Sequence, residues 1–345
     1  MTTTGVRVYL HSPVRRRYLA AVVAPEVRGL ARHFGAHQIH VRTGWLAAPH
    51  YELRAEPSAG RPIDWPAVAA ALAAGAHRHP AAPLDGAAYL HTAAELGRIE
   101  AVPPPYPPLQ PHGATELLAP APPGAVSALA AQGLALLLTP LLQTAQTDGA
   151  GALLARVAEA FVALAASHPH GPRFGAFSFR SHAEAFFHWA GPAADYRTLF
   201  RGRRETDGAV FEELVRRARD GRTSAPAGVW HASFNACMEA FAGQLDEDDL
   251  DRPGTTLGVG ALRRADGRSA FHEALAQSGV IDEPPQWFAA FRLTINLFYQ
   301  LLPALDISPV QRFYLCDSVA ESVDAVYGET WEQRLAAIKG HLVAS

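Results

Sequence analysis

Arg292, Asn296 and Tyr299 stand four and three residues apart inside WFAAFRLTINLFYQLLPALD (287–306), a segment apolar on almost every face. Those intervals place the three side chains on one stripe of a buried helix. Burying a guanidinium without a partner is costly, so the stripe faces either a carboxylate in the core or a solvent-filled pocket. In a pocket, a guanidinium, a carboxamide and a phenol could hold a polar substrate and protonate an oxygen that is departing or gaining charge. Tyr314, in ISPVQRFYLCDSVAESV (307–323), is a second phenol with that capacity. For both tyrosines the structural alternative is a core ring with a satisfied hydroxyl.

Polar insertions recur in SFRSHAEAFFHWAG (178–191). Ser181-x-x-Glu184 has the form of a capping box, which predicts a helix over 181–190 with His182 in its first turn. There the positive end of the helix dipole would favour neutral imidazole, a state suited to acid–base work. Arg180, Glu184 and His188 recur every four residues beside Phe186, Phe187 and Trp189. Ser308, with Gln311 three residues on, is either the cap of a last long helix or a hydroxyl beside a site, and Arg312 shares a face of that helix with Cys316. Among 16 histidines there is no HExxH and no paired Cys-x-x-Cys, and His272-Glu273 lacks a second histidine four residues on, so no metal is expected. No glycine-rich loop has Walker spacing, and no GxSxG elbow occurs.

The 345 residues, 49% hydrophobic, suffice for one large domain or two. A net charge of −3 excludes the basic field that nucleic-acid or anionic-membrane binding requires. Cys237 and Cys316 lie in apolar helical runs, which suits reduced thiols and a cytoplasmic protein. The N-terminus lacks the apolar core of a secretory signal, and LALLLTPLLQ (134–143) is too short to span a bilayer.

The elements that position these groups form an α+β pattern. Strands are expected at 6–12, 37–44 and 49–56, and helices at 25–35, ended by Gly35, and 65–76, capped by Asp64. This α/β part covers about 1–100; the proline-rich connector 101–113 must be extended, as a boundary or as an ordered wall of the site. From about 125 to 345 the chain is mostly helical: 125–144, 151–166, 181–190, 208–219, 226–245, 269–278, 285–302, 308–327 and 330–342.

Five segments in order carry a resemblance: VRVYL (6–10), PHYELRA (49–55), RIEAVPPPYPPLQPHG (98–113), SFRSHAEAFF (178–187) and FRLTINLFYQLLPALDISPVQRFYLCDSVAE (291–321). Across nearly its whole length the chain resembles the thiopeptide-type biosynthesis family, the stand-alone elimination domains of class I lantibiotic dehydratases. Within it, the resemblance is to pyridine synthases that form the central ring of compounds such as thiomuracin. It implies a single elimination-domain-like fold over 1–345, an N-terminal sheet with helices plus a large helical part enclosing one pocket. It also implies a reaction without cofactor: a formal aza-[4+2] cycloaddition of two dehydroalanines, then loss of water and of the leader peptide. The implied partner is a leader-bearing precursor peptide with an azole-containing, dehydrated core, with no nucleic acid or membrane; a monomer and a homodimer both stay open.

On this basis the expected catalytic residues are Tyr299, His182, Arg292, Tyr314 and Ser308. The expected substrate-binding residues are Asn296, Arg54, Glu52, His50, Glu100, Ser181, Glu184 and Arg312. Residues 1–76 are expected to hold the leader, with Arg15, Arg16 and Arg17 facing its acidic side chains. Two departures matter. Glutamate-eliminating relatives carry PHxRxR where this chain has Pro49-His50-Tyr51-Glu52-Leu53-Arg54, so Glu52 replaces an arginine. They carry an H-x-x-x-N-R-like helix where this chain has Arg292, Asn296 and Leu297. Both disfavour glutamate elimination, the alternative activity; a non-catalytic peptide-binding subunit is the other. Glu52 is expected to pair with Arg54 on the same strand face or with Arg292.

Overall fold

The computed structural model describes residues 3–59, 61–100, 102–120, 124–191, 195–245, 269–278 and 285–344. The chain gathers into two compact units. One holds Met1–Thr147 and Asn296–Ile307, the other the described parts of Asp148–Asp251 and Val259–Ile295 together with Ser308–Ser345.

The first unit is built on a four-stranded antiparallel sheet of β1 (Thr4–Tyr9), β2 (His37–Gly44), β3 (His50–Glu56) and β4 (Thr115–Leu118), in the order β2-β3-β1-β4. Strand alternation separates two faces. Val6, Val8, Val41, Leu53 and Ala55 are buried in the core. The opposite face carries Arg7 across from Glu52 and Glu116, and Arg42 across from Glu52. β1 stops at Tyr9, short of the expected 6–12, because its register with β3 ends at the Tyr9–His50 pair.

Helical residues begin earlier than 25. α1 (Arg15–Tyr18) continues through a π turn (Leu19–Val23) into α2 (Ala24–Phe34), which Gly35 closes at φ 59 as expected. α1 has no side-chain cap of its own; Asp306 supplies one from far along the chain, its Oδ1 accepting the Arg15 N–H at 2.6 Å. α3 (Trp65–His77) is capped by Asp64 and packs on β1 and β4. α4 (Gly86–Glu100) was not expected from the sequence. The proline-rich connector is an ordered part of this unit, since Gln110 N donates to Ala47 O and Gly113 N to Tyr9 O. The expected 125–144 helix is two, α5 (Ala125–Leu136) and α6 (Leu138–Ala145). Pro140 lacks the N–H that would bond the Leu136 carbonyl, so the ladder breaks there.

The second unit comprises α7 (Ala150–Ala166), α8 (Pro172–Ala190), α9 (Tyr196–Arg219), α10 (Ala225–Phe241), α11 (Ala270–Ser278), the first part of α12 (Gln286–Leu301), α13 (Pro309–Tyr327) and α14 (Trp331–Ala344). A 3₁₀ turn (Leu302–Leu305) follows α12 in the sheet-bearing unit. α13 is buried from Phe313 to Ala320 and packs against α7, α8 and α9. Ser308 caps it in a complete box with Gln311. Trp287–Leu305 is long and apolar enough to cross a membrane, and 72% of it is buried inside the protein, as a core helix would be.

Candidate functional site

α8 runs unbroken from Pro172, so Ser181 lies mid-helix and caps nothing; Gly171 is the N-cap. The expected capping box and the dipole argument for His182 therefore fall. His182 is nevertheless held neutral, for another reason. Burial, then Arg312, push its imidazole down to about 3; a hydrogen bond to the Ser178 carbonyl opposes this, and Arg292 and His272 add to it. Arg312 of α13, Arg292 of α12 and His272 of α11 are thus all near enough to act on His182 of α8.

Burial pushes Arg292 down to about 10. Arg312 lies over the Phe313 ring at 4.5 Å. Both arginines and His182 are partly accessible. Ser181 Oγ lies 2.9 Å from His272 Nε2. The arrangement can polarise an amide carbonyl and exchange protons with it, and its cations favour an oxygen that gains negative charge.

The remaining expected residues divide. Glu184 is buried and paired with Arg197 at 2.6 Å, which accounts for it structurally. Tyr314 donates its hydroxyl to Asp207, and burial with that bond pushes the phenol up to about 12. The Ser308 hydroxyl accepts the Gln311 N–H at 3.2 Å in its capping role. Arg292 belongs to the helical unit, and Asn296 and Tyr299 to the sheet-bearing unit. Asn296 Nδ2 is buried without a hydrogen-bond partner, an unspent donor, and Tyr299 is buried. The side chain of Glu100 lies outside the described residues.

In the sheet-bearing unit, His50, Glu52 and Arg54 do come together on one sheet face. Arg7 donates to Glu52 Oε1 at 2.6 Å and Arg54 to Oε2 at 3.3 Å, so the expected Glu52–Arg54 pair exists. Burial raises the Glu52 carboxyl, but Arg7 and Arg54 outweigh it and hold it below the usual range. Arg7 also reaches Glu116 at 2.9 Å. A Cβ on Gly44 would lie 2.2 Å from His50 Nε2, so glycine there makes room for that ring. His50 Nδ1 bonds the Ala48 carbonyl. Of the three basic residues after Val14, Arg16 is engaged with Thr147 O and Asp306, and Arg17 is exposed.

Arg7, Arg42, Ser269 and His272 were missed in the sequence. Arg7 sits on an alternating strand whose partners only the register reveals, and the sequence offers His272 no partner beyond its neighbour Glu273. Among the described residues no group of three or more ligands could hold a metal ion.

No protein-family profile matches the sequence, and no curated protein does. Solved structures do. "Pyridine synthase, TbtD, from thiomuracin biosynthesis" aligns with a TM-score of 0.72 at 22% identity, covering 95% of this chain and 99% of that one. The chain has the fold of the thiomuracin pyridine synthase. TsrL aligns with a TM-score of 0.65 at 16% identity, over 98% of this chain and 97% of that one. Mostly helical, with one small antiparallel sheet, the pyridine-synthase fold here extends from end to end.

Proposed function

We propose that this chain is a thiopeptide pyridine synthase, a cytoplasmic enzyme acting on a leader-bearing, azole-containing precursor peptide with two dehydroalanines. The end-to-end match in fold to a pyridine synthase carries the reading. The site inventory agrees with it. Closing the ring requires one amide to take its iminol form, so that the first dehydroalanine becomes an azadiene. Two C–C bonds then form with the second alkene, one from the methylene carbon and one from the iminol carbon of the azadiene, leaving a hydroxyl and the leader-bearing nitrogen on the ring. Each later elimination breaks one C–H bond and one C–O or C–N bond, and the ring becomes pyridine with release of water and of the leader as its carboxamide.

These demands are for positioning and proton transfer. Holding two alkenes in contact supplies up to about 7–11 kcal/mol, and acid–base groups about 10²–10⁴-fold. Arg292 and Arg312 would stabilise the amide oxygen as its carbonyl becomes an iminol, and neutral His182 would accept and return the amide proton. Tyr299, on one helix with Arg292 and Asn296, is proposed to position the substrate through its phenol. The reading places leader recognition on residues 1–76. Glu52, a carboxylate already held by Arg7 and Arg54, would repel a glutamyl substrate rather than bind it.

The test is incubation of the purified chain with a leader-bearing bis-dehydroalanine peptide, followed by mass spectrometry. Loss of water plus the leader carboxamide supports the reading. Binding without mass change, or loss of glutamate from a glutamylated peptide with no cyclisation, overturns it.

A further inference from the structure

The two histidines of the helical site are wired differently. His182 gives one nitrogen to the Ser178 carbonyl, which only accepts. His272, in the first turn of α11, has a serine hydroxyl at each nitrogen: Ser181 Oγ 2.9 Å from Nε2 and Ser269 Oγ 2.8 Å from Nδ1. A carbonyl or carboxylate partner fixes one tautomer, whereas a hydroxyl donates or accepts by rotating. With hydroxyls at both ends, each tautomer of neutral His272 is fully satisfied. A proton taken at one nitrogen can therefore be balanced at the other without stranding a buried polar atom.

Ser269 is itself fixed. It stands at the N-cap of α11, where its carbonyl accepts the Glu273 N–H at 3.0 Å and its Oγ the His272 N–H at 3.4 Å. The His272 ring meets Phe271 edge-on at 5.4 Å, and buried Phe271 is packed by Trp331 and Phe177. Ser181 and His272 are both half-buried, so the far end of the relay is not sealed in the core.

We infer that Ser181 and His272 form the acid–base pair of this site, Ser181 Oγ touching the substrate and His272, oriented by Ser269, charging and discharging it. The inference rests on the pyridine-synthase reading. In each elimination Ser181 Oγ takes the proton from a ring carbon as its own proton passes to His272 Nε2, giving imidazolium. The ring then expels hydroxide, or the leader amide nitrogen, as the C=C bond forms. His272 returns its Nε2 proton to Ser181, which protonates the departing oxygen or nitrogen. One C–H and one C–O or C–N bond break, water or carboxamide leaves, and the relay ends neutral. No oxidant or reductant is involved.

Wild type is assayed first on the bis-dehydroalanine peptide; failure to form pyridine overturns the functional reading, and the relay with it. Given active wild type, His272→Ala is expected to lower kcat by about 10²-fold or more with KM within roughly threefold, and added imidazole to restore about tenfold or more. The cyclised, hydroxylated species, equal in mass to the substrate, should accumulate. Ser181→Ala, which removes one oxygen from a helix interior, should show the same kcat loss without imidazole rescue, and it carries the test if His272→Ala fails to fold. Turnover within about threefold of wild type in Ser181→Ala, or a folded His272→Ala whose loss imidazole leaves unchanged, overturns the relay.

Discussion

Asp324→Asn should unfold the helical unit early. The Asp324 carboxylate accepts from Arg180 Nη2 at 2.9 Å and from Arg334, whose side chain is only 2% exposed. Burial raises the Asp324 carboxyl, and the two arginines only partly pull it back. The ion pair is thus expensive to bury and of small net benefit, yet breaking it strands charge. Arg180 keeps Glu321, whereas Asp324 is the one carboxylate bonded to Arg334 among the described residues. Removing one partner of such a pair costs about 3–5 kcal/mol. For a unit the size of the helical one that lowers its Tm by roughly 6–20 °C, measured by circular dichroism or calorimetry. Combining Asp324→Leu with Arg334→Met removes both charges and should recover about 2 kcal/mol or more relative to Asp324→Leu. A Tm for Asp324→Asn within about 2 °C of wild type would refute the reasoning, because it would mean that Arg334 finds water or another anion at no cost. The network also matters to the site, since it fastens α8, which carries Ser181 and His182, to α13, which carries Arg312.

Tyr299→Phe should lower pyridine formation by about 10²-fold with a Tm change of only a few degrees; full turnover, or collapse of the fold, returns this phenol to a packing role. Glu52→Gln leaves Arg7 and Arg54 without their shared carboxylate and should cost about 1–3 kcal/mol in urea unfolding, while Glu52→Arg should cost more by adding a third guanidinium. Unchanged midpoints would show that the pairing contributes nothing. Stability should also fall between pH 7 and 5.5. His182 and His168 at about 3 and His40 at about 4, depressed foremost by burial, stay neutral when folded but take up protons when unfolded near 6.5. The folded pKa values lie below the unfolded one, so stability is complete above about 6.5 and lost as pH falls. Each contributes about 1.2 kcal/mol over that range, roughly 4 kcal/mol together, and a flat urea midpoint would contradict this assignment of buried neutral histidines.

Local chemistry was legible where it acts locally. Gly35 as a left-handed stop, Asp64 as a cap and the Ser308–Gln311 box all stand as their sequence patterns imply. The same box pattern misled at Ser181 because the true helix start, nine residues earlier, is disguised by Gly175. That glycine is demanded by packing: a Cβ there would lie 2.2 Å from the Ala165 carbonyl oxygen, where the end of α7 meets α8. A residue that lowers helix propensity is kept for tertiary fit, and the propensity signal points elsewhere. The cap that Asp306 gives to α1 and the bond between Ser181 and His272 join residues 291 and 91 positions apart, and no window of sequence contains them.

The correction at His182 sharpens the chemistry. Had the imidazole been neutral through a helix dipole, an effect worth at most about 2 kcal/mol, a bound anion or added salt could have reversed it. Neutrality imposed by burial and by two guanidiniums has different consequences, because the same arginines that keep the proton off His182 are available to a developing oxyanion. As an amide oxygen gains charge, Arg292 and Arg312 are partly neutralised and His182 becomes a better base at the moment a proton must move. Ground-state neutrality and transition-state basicity then have one cause. A site that instead held a permanent substrate carboxylate would protonate His182 on binding and lose this coupling. The cationic surroundings of a neutral histidine therefore suit a neutral amide substrate better than an acidic one, in keeping with a carboxylate, Glu52, already occupying the arginines of the sheet.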